Sequence, residues 1–329
     1  MTSILLIGAA GQLGQELQRK LPCIGTVKSL DRRCLDLTQT DQIYQAVYEC
    51  KPDVIVNAAA YTAVDQAERE PELAHAINAE APTTLAEIAS RIGASLVHVS
   101  TDYVFDGQSH TPYQEAALTG PISAYGRSKL AGEIGIRQAC DRHIILRTAW
   151  VYGTWGKSNF VKTMLRLGGD RPEIRVVADQ VGAPTWAADL AQAIAILISR
   201  SGATSDRVHQ GLPNGLLVQS GSPINGISQD SLWGTYHFTN SGVASWYDFS
   251  VAIFEIARQL GFPLRVQRVV PISTAEYPTP AQRPAYSVLS LKKTAAVLGG
   301  YPPHWRQSLK KMLAELYTHT YESAYSLRR

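Results

Sequence analysis

The sequence predicts a doubly wound α/β fold, a parallel sheet with helices on both faces, and three observations carry that reading. Short, nearly continuous apolar runs rich in β-branched residues recur through the first half, at Ile4–Ile7, Val54–Val56, Leu96–Val99 and Ile144–Leu146. Such runs suit strands buried on both sides. Longer helix-like segments separate them, Gln12–Leu21, Thr40–Cys50, Pro71–Ile92 and Tyr125–Ala139, and strand–helix alternation of this kind implies parallel order. A glycine-rich turn, Gly8-Ala-Ala-Gly11-Gln-Leu-Gly14, lies directly between the first strand and the first helix.

The 329 residues suit one large unit or two closely joined ones. Apolar residues make up 45% and charged residues only 18%, enough apolar material for a substantial core and too little charge for a disordered chain. The net charge of +3 comes from scattered Lys and Arg, so neither a nucleic-acid footprint nor a polybasic membrane patch is expected. Cys23, Cys34, Cys50 and Cys140 have no CxxC spacing, and the eight histidines show no HExxH or HxH pattern. Reduced thiols and no histidine metal site are therefore expected. Met1 leads straight into Ile4-Leu5-Leu6-Ile7-Gly8 without a basic region or cleavage site, and the apolar stretch near Ile194–Ile198 is too short to span a bilayer. A cytoplasmic protein is the expectation.

Residues 1–155 read as a dinucleotide-binding Rossmann domain. Residues 156–329 read mainly as a smaller C-terminal substrate-binding domain, with strands near 174–180 and 236–239 expected to join the first sheet. Asn159–Leu167, Ala188–Ser199, Ser245–Leu260 and Pro303–Tyr317 look helical. The stretch of about 199–232 has no period, is rich in Gly, Ser, Asn and Pro, and is expected to be a mobile surface insertion.

In the glycine-rich turn, Gly8 and Gly11 permit a tight bend and close backbone approach to a pyrophosphate, while Gly14 lets the helix pack on the strand. The helix start offers free N–H groups and positive dipole to phosphates. The spacing is GxxGxxG, typical of short-chain dehydrogenases; a tight turn without a ligand is the alternative. The second strand should end near Leu30-Asp31. An acid there would bind ribose hydroxyls and favour NADH, but Arg32 and Arg33 follow at once and suit the 2′-phosphate of NADPH. Both cofactors stay open, as does a solvated turn for the two arginines. Asp36-Leu37 could contact the adenine, and Asn57-Ala58-Ala59-Ala60 ends a buried strand with residues small enough for a cofactor to lie against.

Tyr125-Gly-Arg-Ser-Lys129 puts a tyrosine and a lysine on one helix face. The ammonium of Lys129 would favour the Tyr125 phenolate and lower its pKa from about 10. Tyrosine then becomes a workable proton donor near neutrality. Lys129 could also hydrogen-bond the nicotinamide ribose. Ser100-Thr101-Asp102-Tyr103 follows the Leu96–Val99 strand, at the strand end where open sheets bind ligands. Thr101, Tyr125 and Lys129 together form a hydride-transfer triad.

The chain resembles the dTDP-4-dehydrorhamnose reductase family of extended short-chain dehydrogenases over nearly its whole length. The segments that carry the resemblance are GAAGQLGQEL from Gly8, VNAAAYTAVDQAE from Val56, STDYVFDG from Ser100, YGRSK from Tyr125, RTAWVYG from Arg147, ADQVGAPT from Ala178 and TNSGVASWYDF from Thr239. It implies reduction of the 4-keto group of a dTDP-4-dehydro-6-deoxy-L-hexose to dTDP-L-rhamnose, with NADPH or NADH as hydride donor. Gly11-Gln12-Leu13, Asp36-Leu37 and Ala60-Tyr61-Thr62 would line the cofactor, Thr101 and Asp102 would meet the sugar, and Trp150 would close over it. Tyr125 would protonate O4. Asn159 and Arg283 are candidates for the nucleotide diphosphate, Arg283 for its bidentate fit to phosphate. Some members carry Mg²⁺ at a dimer interface through acidic residues. Ala187-Ala188 stands here where a Glu would be looked for, which leaves monomer and homodimer both open.

Two other readings compete. A nucleotide-sugar epimerase or dehydratase would share the fold, but a dehydratase needs an acid pair after the threonine, and this chain has Asp102-Tyr103. A non-catalytic, cofactor-binding regulatory subunit would be free to lose the triad, and all three residues are present.

Overall fold

The computed structural model of the chain describes residues 1–202 and 232–322. Five parallel strands come first, β1 (Ser3–Ile7), β2 (Thr26–Leu30), β3 (Val54–Asn57), β4 (Ser95–Thr101) and β5 (His143–Thr148). The chain then leaves this sheet through the short strands β6 (Val151–Tyr152), β7 (Glu173–Val177), β8 (Val181–Gly182) and β9 (Thr185–Trp186). Strand β10 (Gly234–His237) returns beside β5 and completes a six-stranded sheet of order β10-β5-β4-β3-β1-β2. Every pairing in it is parallel.

Alternate residues of the same strands build two cores, because side chains alternate across a strand. Ile4, Leu6, Val54, Val56, Val97, Ile144 and Leu146 face one side. They meet α1 (Gln12–Lys20), α8 (Ala187–Arg200) and α10 (Lys292–Leu298) through Leu13, Leu17, Leu190, Ile194, Val297 and Leu298. Leu5, Ile7, Ile55, Leu96 and Ile145 face the other side. They meet α2 (Thr40–Cys50), α5 (Ala81–Ile92) and α6 (Ala124–Ala139) through Ile43, Val47, Leu85, Ile88 and Ile136.

A third core lies apart, between α7 (Phe160–Asp170), α9 (Trp246–Leu260) and α11 (Trp305–Tyr317), with Val161, Phe249, Ile253, Phe254, Trp305 and Leu309 at its centre. Residues 174–180 belong here and not to the main sheet. Strand β7 pairs in parallel with β12 (Arg268–Ile272). Its alternation explains this: Glu173 and Arg175 are exposed while Ile174 and Val176 are buried, a pattern for a strand wet on one face rather than covered on both. Strand β11 (Ala244–Ser245) pairs antiparallel with β8, and β9 pairs with β6.

The cores do not divide at residue 155. Helix α8, strand β10 and helix α10 pack back on the first sheet, so the later half of the chain serves both units. The expected insertion falls mostly on residues outside those described. Its proposed ends are structural: Ser199 and Arg200 finish α8, and Leu232 is buried in the first core. The single helix expected over 71–92 is also divided, into α4 (Pro71–His75), a π turn at Ala76–Glu80, and α5. The short α3 (Val64–Ala67) precedes it.

One buried charge cluster ties α6 to the sheet. Glu133 on α6 is fully enclosed and accepts from Arg147 Nε and Nη2 of β5 at 2.9 and 2.7 Å, from Ser100 Oγ at 2.6 Å and from Arg137 at 3.1 Å. Burial pushes the Glu133 carboxyl upward, but the hydrogen bonds from Arg147, Ser100 and Arg137 and the charge of Arg147 together outweigh it and hold the group below the usual carboxylate range. A depressed carboxyl contributes stability that is complete above its unfolded pKa of about 4.3 and is lost as pH falls through the folded value. Glu133→Leu leaves the Arg147 guanidinium buried without its partner, and removing one member of such a pair costs about 3–5 kcal/mol. Urea unfolding at pH 7 should show that loss, and the gap between variant and wild type should close on acidification below about pH 4.

Candidate active site

The carboxyl ends of β1, β3, β4 and β5 open into a cleft of about 840 Å³, a volume suited to a small-molecule ligand. Its cofactor half begins at the glycine-rich turn. Gly8 has φ +88°, and a Cβ there would lie 2.6 Å from the Ala59 amide nitrogen. Gly11 caps α1 with no side chain bonded to the first-turn amides and no acid in that turn, so the helix start offers N–H groups and positive dipole to an anion. Gly8, Gly11, Gln12 and Leu13 line the cleft. Gly14 does not: a Cβ on it would lie 2.1 Å from the Gly8 carbonyl oxygen, so its smallness serves the contact of α1 with the turn. The uncapped helix start and its glycine cradle fit a dinucleotide pyrophosphate.

Asp31, Arg32, Asp36, Leu37, Ala58, Ala59, Ala60, Tyr61 and Thr62 also line this half. Asp31 is already engaged: Arg33 donates to it from Nε at 3.0 Å, Nη2 at 2.8 Å and its backbone N–H at 2.9 Å. These bonds hold the Asp31 carboxyl below its ordinary range. Arg33 itself points to solvent, and Arg32 is the arginine that faces the cleft. Asp36 accepts from the backbone N–H and hydroxyl of Thr38 at 3.0 and 2.9 Å. Tyr61 is held at its backbone by Asn78, which accepts from Tyr61 N–H at 2.9 Å and donates to Tyr61 O and Ser128 Oγ, both at 3.0 Å. Asn78 sits in the π turn, so the break in the expected helix supplies the side chain that fixes this wall. Such turns occur often at functional sites.

Thr101, Asp102, Tyr125, Lys129 and Trp150 meet in the other half. Ser123 caps α6 by accepting from Gly126 N–H at 3.1 Å, which sets Tyr125 in the first turn, and its ring stands edge-on to Tyr103 at 5.4 Å. Burial pushes the Tyr125 phenol up to about 12, opposed by a hydrogen bond with Thr101 and reinforced by the charge of Asp102. The phenol is thus raised by burial rather than lowered, and the amine of Lys129 is engaged by partners on β4. Its Nζ lies 3.0 Å from His98 Nε2 and 2.7 Å from the Val99 carbonyl oxygen. Burial pulls Lys129 down to about 8, with Glu133 opposing.

Trp150 holds a left-handed backbone, φ +47°, and its ring stacks on Trp246 at 3.5 Å and 8°. Both indoles face the cleft. An unfavourable φ persists only where surroundings enforce it, and such residues cluster at functional sites. Trp246 escaped notice in the sequence, although it lies inside the TNSGVASWYDF segment; nothing in spacing alone brings it to Trp150.

Asn159 and Arg283 are not brought to the cleft wall. Asn159 caps α7, accepting from Lys162 N–H at 3.0 Å and donating to Gly153 O at 2.8 Å. Arg283 pairs with Asp65 at 2.8 and 3.1 Å. Asn159 Nδ2 also donates to Oε1 of the cleft-lining Gln12 at 3.2 Å. Among the described residues no group of three or more His, Cys, Asp or Glu side chains could hold a metal ion, and no helix is long and apolar enough to cross a membrane.

This fold, cradle and buried Thr–Tyr–Lys set define a nicotinamide-dependent reductase of the extended short-chain type. The family described as RmlD substrate binding domain matches residues 1–212 and 224–318. The chain is 40% identical over 322 residues to dTDP-4-dehydrorhamnose reductase of Escherichia coli, covering 97% of this chain and 99% of that one. It is 42% identical to the Burkholderia thailandensis enzyme of the same name, covering 95% and 98%. A crystal structure of dTDP-4-dehydrorhamnose reductase from Bacillus anthracis in complex with NADP superposes with a TM-score of 0.80 at 38% identity, covering 96% of this chain and 100% of that one. The chain belongs to the dTDP-4-dehydrorhamnose reductase family.

Asp102 gives the site a testable electrostatic signature. It is 2% exposed, and burial pushes its carboxyl up to about 6 against bonds from Ser287 and Thr101. Its Oδ2 has no hydrogen-bond partner among the described residues. A raised folded pKa contributes stability below the unfolded value of about 3.9 that is lost as pH rises through about 6. Asp102→Asn removes the buried charge, so at pH 8 it should be more stable than wild type, by roughly 1–3 kcal/mol on the scale of a shift of about two units. Thermal unfolding from pH 4 to 8 checks this; a variant less stable at pH 8 would show that the carboxylate is well solvated.

Proposed function

We propose that the chain reduces the 4-keto group of a dTDP-4-dehydro-6-deoxy-L-hexose to give dTDP-L-rhamnose, with NADPH or NADH as the reductant. The observation that carries the reading is the convergence of Thr101, Tyr125 and Lys129 at the β4 end of the cleft, opposite the glycine cradle. The bound nicotinamide would supply a hydride to C4. Thr101 would hold O4 beside Tyr125, and the Tyr125 hydroxyl would release its proton to that oxygen. A phenol kept protonated by burial suits a proton donor in the reducing direction. Gly8, Gly11, Gln12, Leu13, Leu37 and Ala58 to Thr62 would bind the dinucleotide, with Lys129 on the nicotinamide ribose. Asp102 and the Trp150–Trp246 pair would meet the sugar, whose apolar face suits an aromatic ring. The smaller unit around α7, α9 and α11 would carry the nucleotide. A dehydratase reading lacks its second acid, since Tyr103 follows Asp102.

Incubation with the 4-keto sugar nucleotide and NADPH or NADH, followed by loss of reduced-nicotinamide absorbance and identification of the sugar formed, tests the assignment directly. Tyr125→Phe should keep cofactor affinity and lose about 10²–10⁴-fold in kcat, the usual worth of a general acid; near wild-type turnover would remove Tyr125 from its role.

Cofactor choice should rest on Arg32. Asp31 is neutralised by Arg33, which weakens its repulsion of a 2′-phosphate and leaves Arg32 facing the cleft as the cation. NADPH should therefore be preferred. Arg32→Ala should raise KM for NADPH by roughly 10- to 150-fold, the worth of a charged hydrogen bond, with little change for NADH. Equal effects on the two cofactors would place Arg32 outside the ribose site.

A further inference from the structure

We propose that Lys157, at the tip of the segment joining β6 to α7, is a cofactor-binding residue: its ammonium pairs with the pyrophosphate of the nicotinamide dinucleotide from the side opposite the glycine-rich turn. The proposal rests on the reading of the cleft as a dinucleotide site. It assigns a role to a residue outside the glycine-rich turn, the YxxxK pair and the strand ends.

The position of this segment follows from its ties to α1. Gln12 is the first residue of that helix, and its side-chain amide holds the segment at both ends. Its Nε2 donates to the Val151 carbonyl oxygen at 3.2 Å, and its Oε1 accepts from Asn159 Nδ2 at 3.2 Å. Between these ties Gly156 passes over the helix start. It has φ +84°, and a Cβ there would lie 3.0 Å from Gln12 Cβ and 3.2 Å from the Gln12 backbone nitrogen. Backbone conformation and close approach both call for glycine. Lys162 Nζ donates to the Gly156 carbonyl oxygen at 2.8 Å, and Thr154 Oγ1 to Glu315 Oε2 at 2.7 Å. The tip is thereby fixed above the start of α1.

Lys157 follows Gly156 at once, one Cα step of about 3.8 Å further on, and it is exposed on the cleft wall. Among the described residues three cations line the cleft, Arg32, Lys129 and Lys157. Lys129 is enclosed, with its amine on His98 and the Val99 carbonyl oxygen. Arg32 lies just past the end of β2, where the adenosine ribose is expected. Lys157 is therefore the cation beside the start of α1. Among the described residues no carboxylate pairs with it.

The charge balance calls for such a group. A dinucleotide pyrophosphate is doubly negative, whereas a helix start offers roughly half an elementary charge. The turn from Gly8 to Gly14 gives backbone N–H groups but holds no cation. A lysine is a flexible point charge suited to phosphate. The sugar nucleotide carries a diphosphate too, but the segment is tied to the first residue of α1, which favours the cofactor's pyrophosphate.

Equilibrium binding without turnover tests this, so failure of the proposed reaction would not move the result. Kd is measured for NADPH, NADH, dTDP and adenosine 2′-monophosphate, which carries no 5′-phosphate, with wild type, Lys157→Gln and Lys157→Arg. Lys157→Gln should weaken NADPH and NADH alike by about 5- to 30-fold, the lower part of the range for a charged hydrogen bond because the lysine is exposed. Lys157→Arg should restore most of that loss, and added salt should weaken wild type more than Lys157→Gln. Adenosine 2′-monophosphate and dTDP should bind as they do to wild type, which also shows that the variant is folded. Unchanged dinucleotide affinity in Lys157→Gln overturns the proposal. So does a loss confined to dTDP, which places Lys157 on the sugar nucleotide, or one confined to NADPH and adenosine 2′-monophosphate, which places it on the 2′-phosphate. Wild type that binds neither dinucleotide would overturn the cofactor reading itself.

Discussion

Coverage of a parallel sheet on both faces is the constraint from which the rest of this structure follows. Parallel strands cannot be joined by tight hairpins, so each connection crosses a face and lays a helix on it. Alternate residues of β1, β3, β4 and β5 are therefore buried in opposite directions, Leu6 and Val56 toward α1 and α8, Leu5 and Ile55 toward α2 and α5. All strands then end on one edge. There the backbone must turn into helices, and the helix start of α1 and the strand ends of β3 and β4 open toward the same space.

Removal of water at that edge sets the electrostatics. Glu133 tolerates burial because four donors from Ser100, Arg137 and Arg147 meet it. Asp102 has fewer partners, and desolvation dominates. Among the described residues the hydrogen-bond partners of Lys129 are neutral, a histidine ring and a carbonyl, and desolvation dominates there too. The same physical cost thus yields a firmly ionised structural carboxylate and two site groups that titrate nearer neutrality. Which outcome holds depends on the number of charge-assisted hydrogen bonds each group receives.

Local signals in the chain were enough for a large share of this. The apolar runs located the buried strands because strands covered on both faces need no polar residues. Helix α2 was legible over Thr40–Cys50 and α6 to within a residue, since amphipathic period and flanking turns are local properties. The glycine spacing implied the cradle, because only glycine accepts φ +88° beside the Ala59 backbone. The YxxxK and STDY segments placed Tyr125, Lys129, Thr101 and Asp102 in one cleft, since a parallel sheet brings strand ends and helix starts to one edge.

What only the tertiary structure decided was which partner each polar side chain reaches. Arg32 and Arg33 are adjacent and chemically identical, yet one faces the cleft and the other closes on Asp31. Asn159 and Arg283 carry the right chemistry for a diphosphate, and the fold gives Asn159 a helix cap to make and Arg283 an aspartate 218 residues away to pair with. Strand β7 has strand character in the sequence, but its pairing with β12 rather than β5 depends on a partner nearly a hundred residues on. Trp246 meets Trp150, and His98 meets Lys129, for the same reason. Period and propensity are set within a few residues, whereas hydrogen-bond partners and strand neighbours are set by packing between distant segments, and that information exists only once the chain has closed on itself.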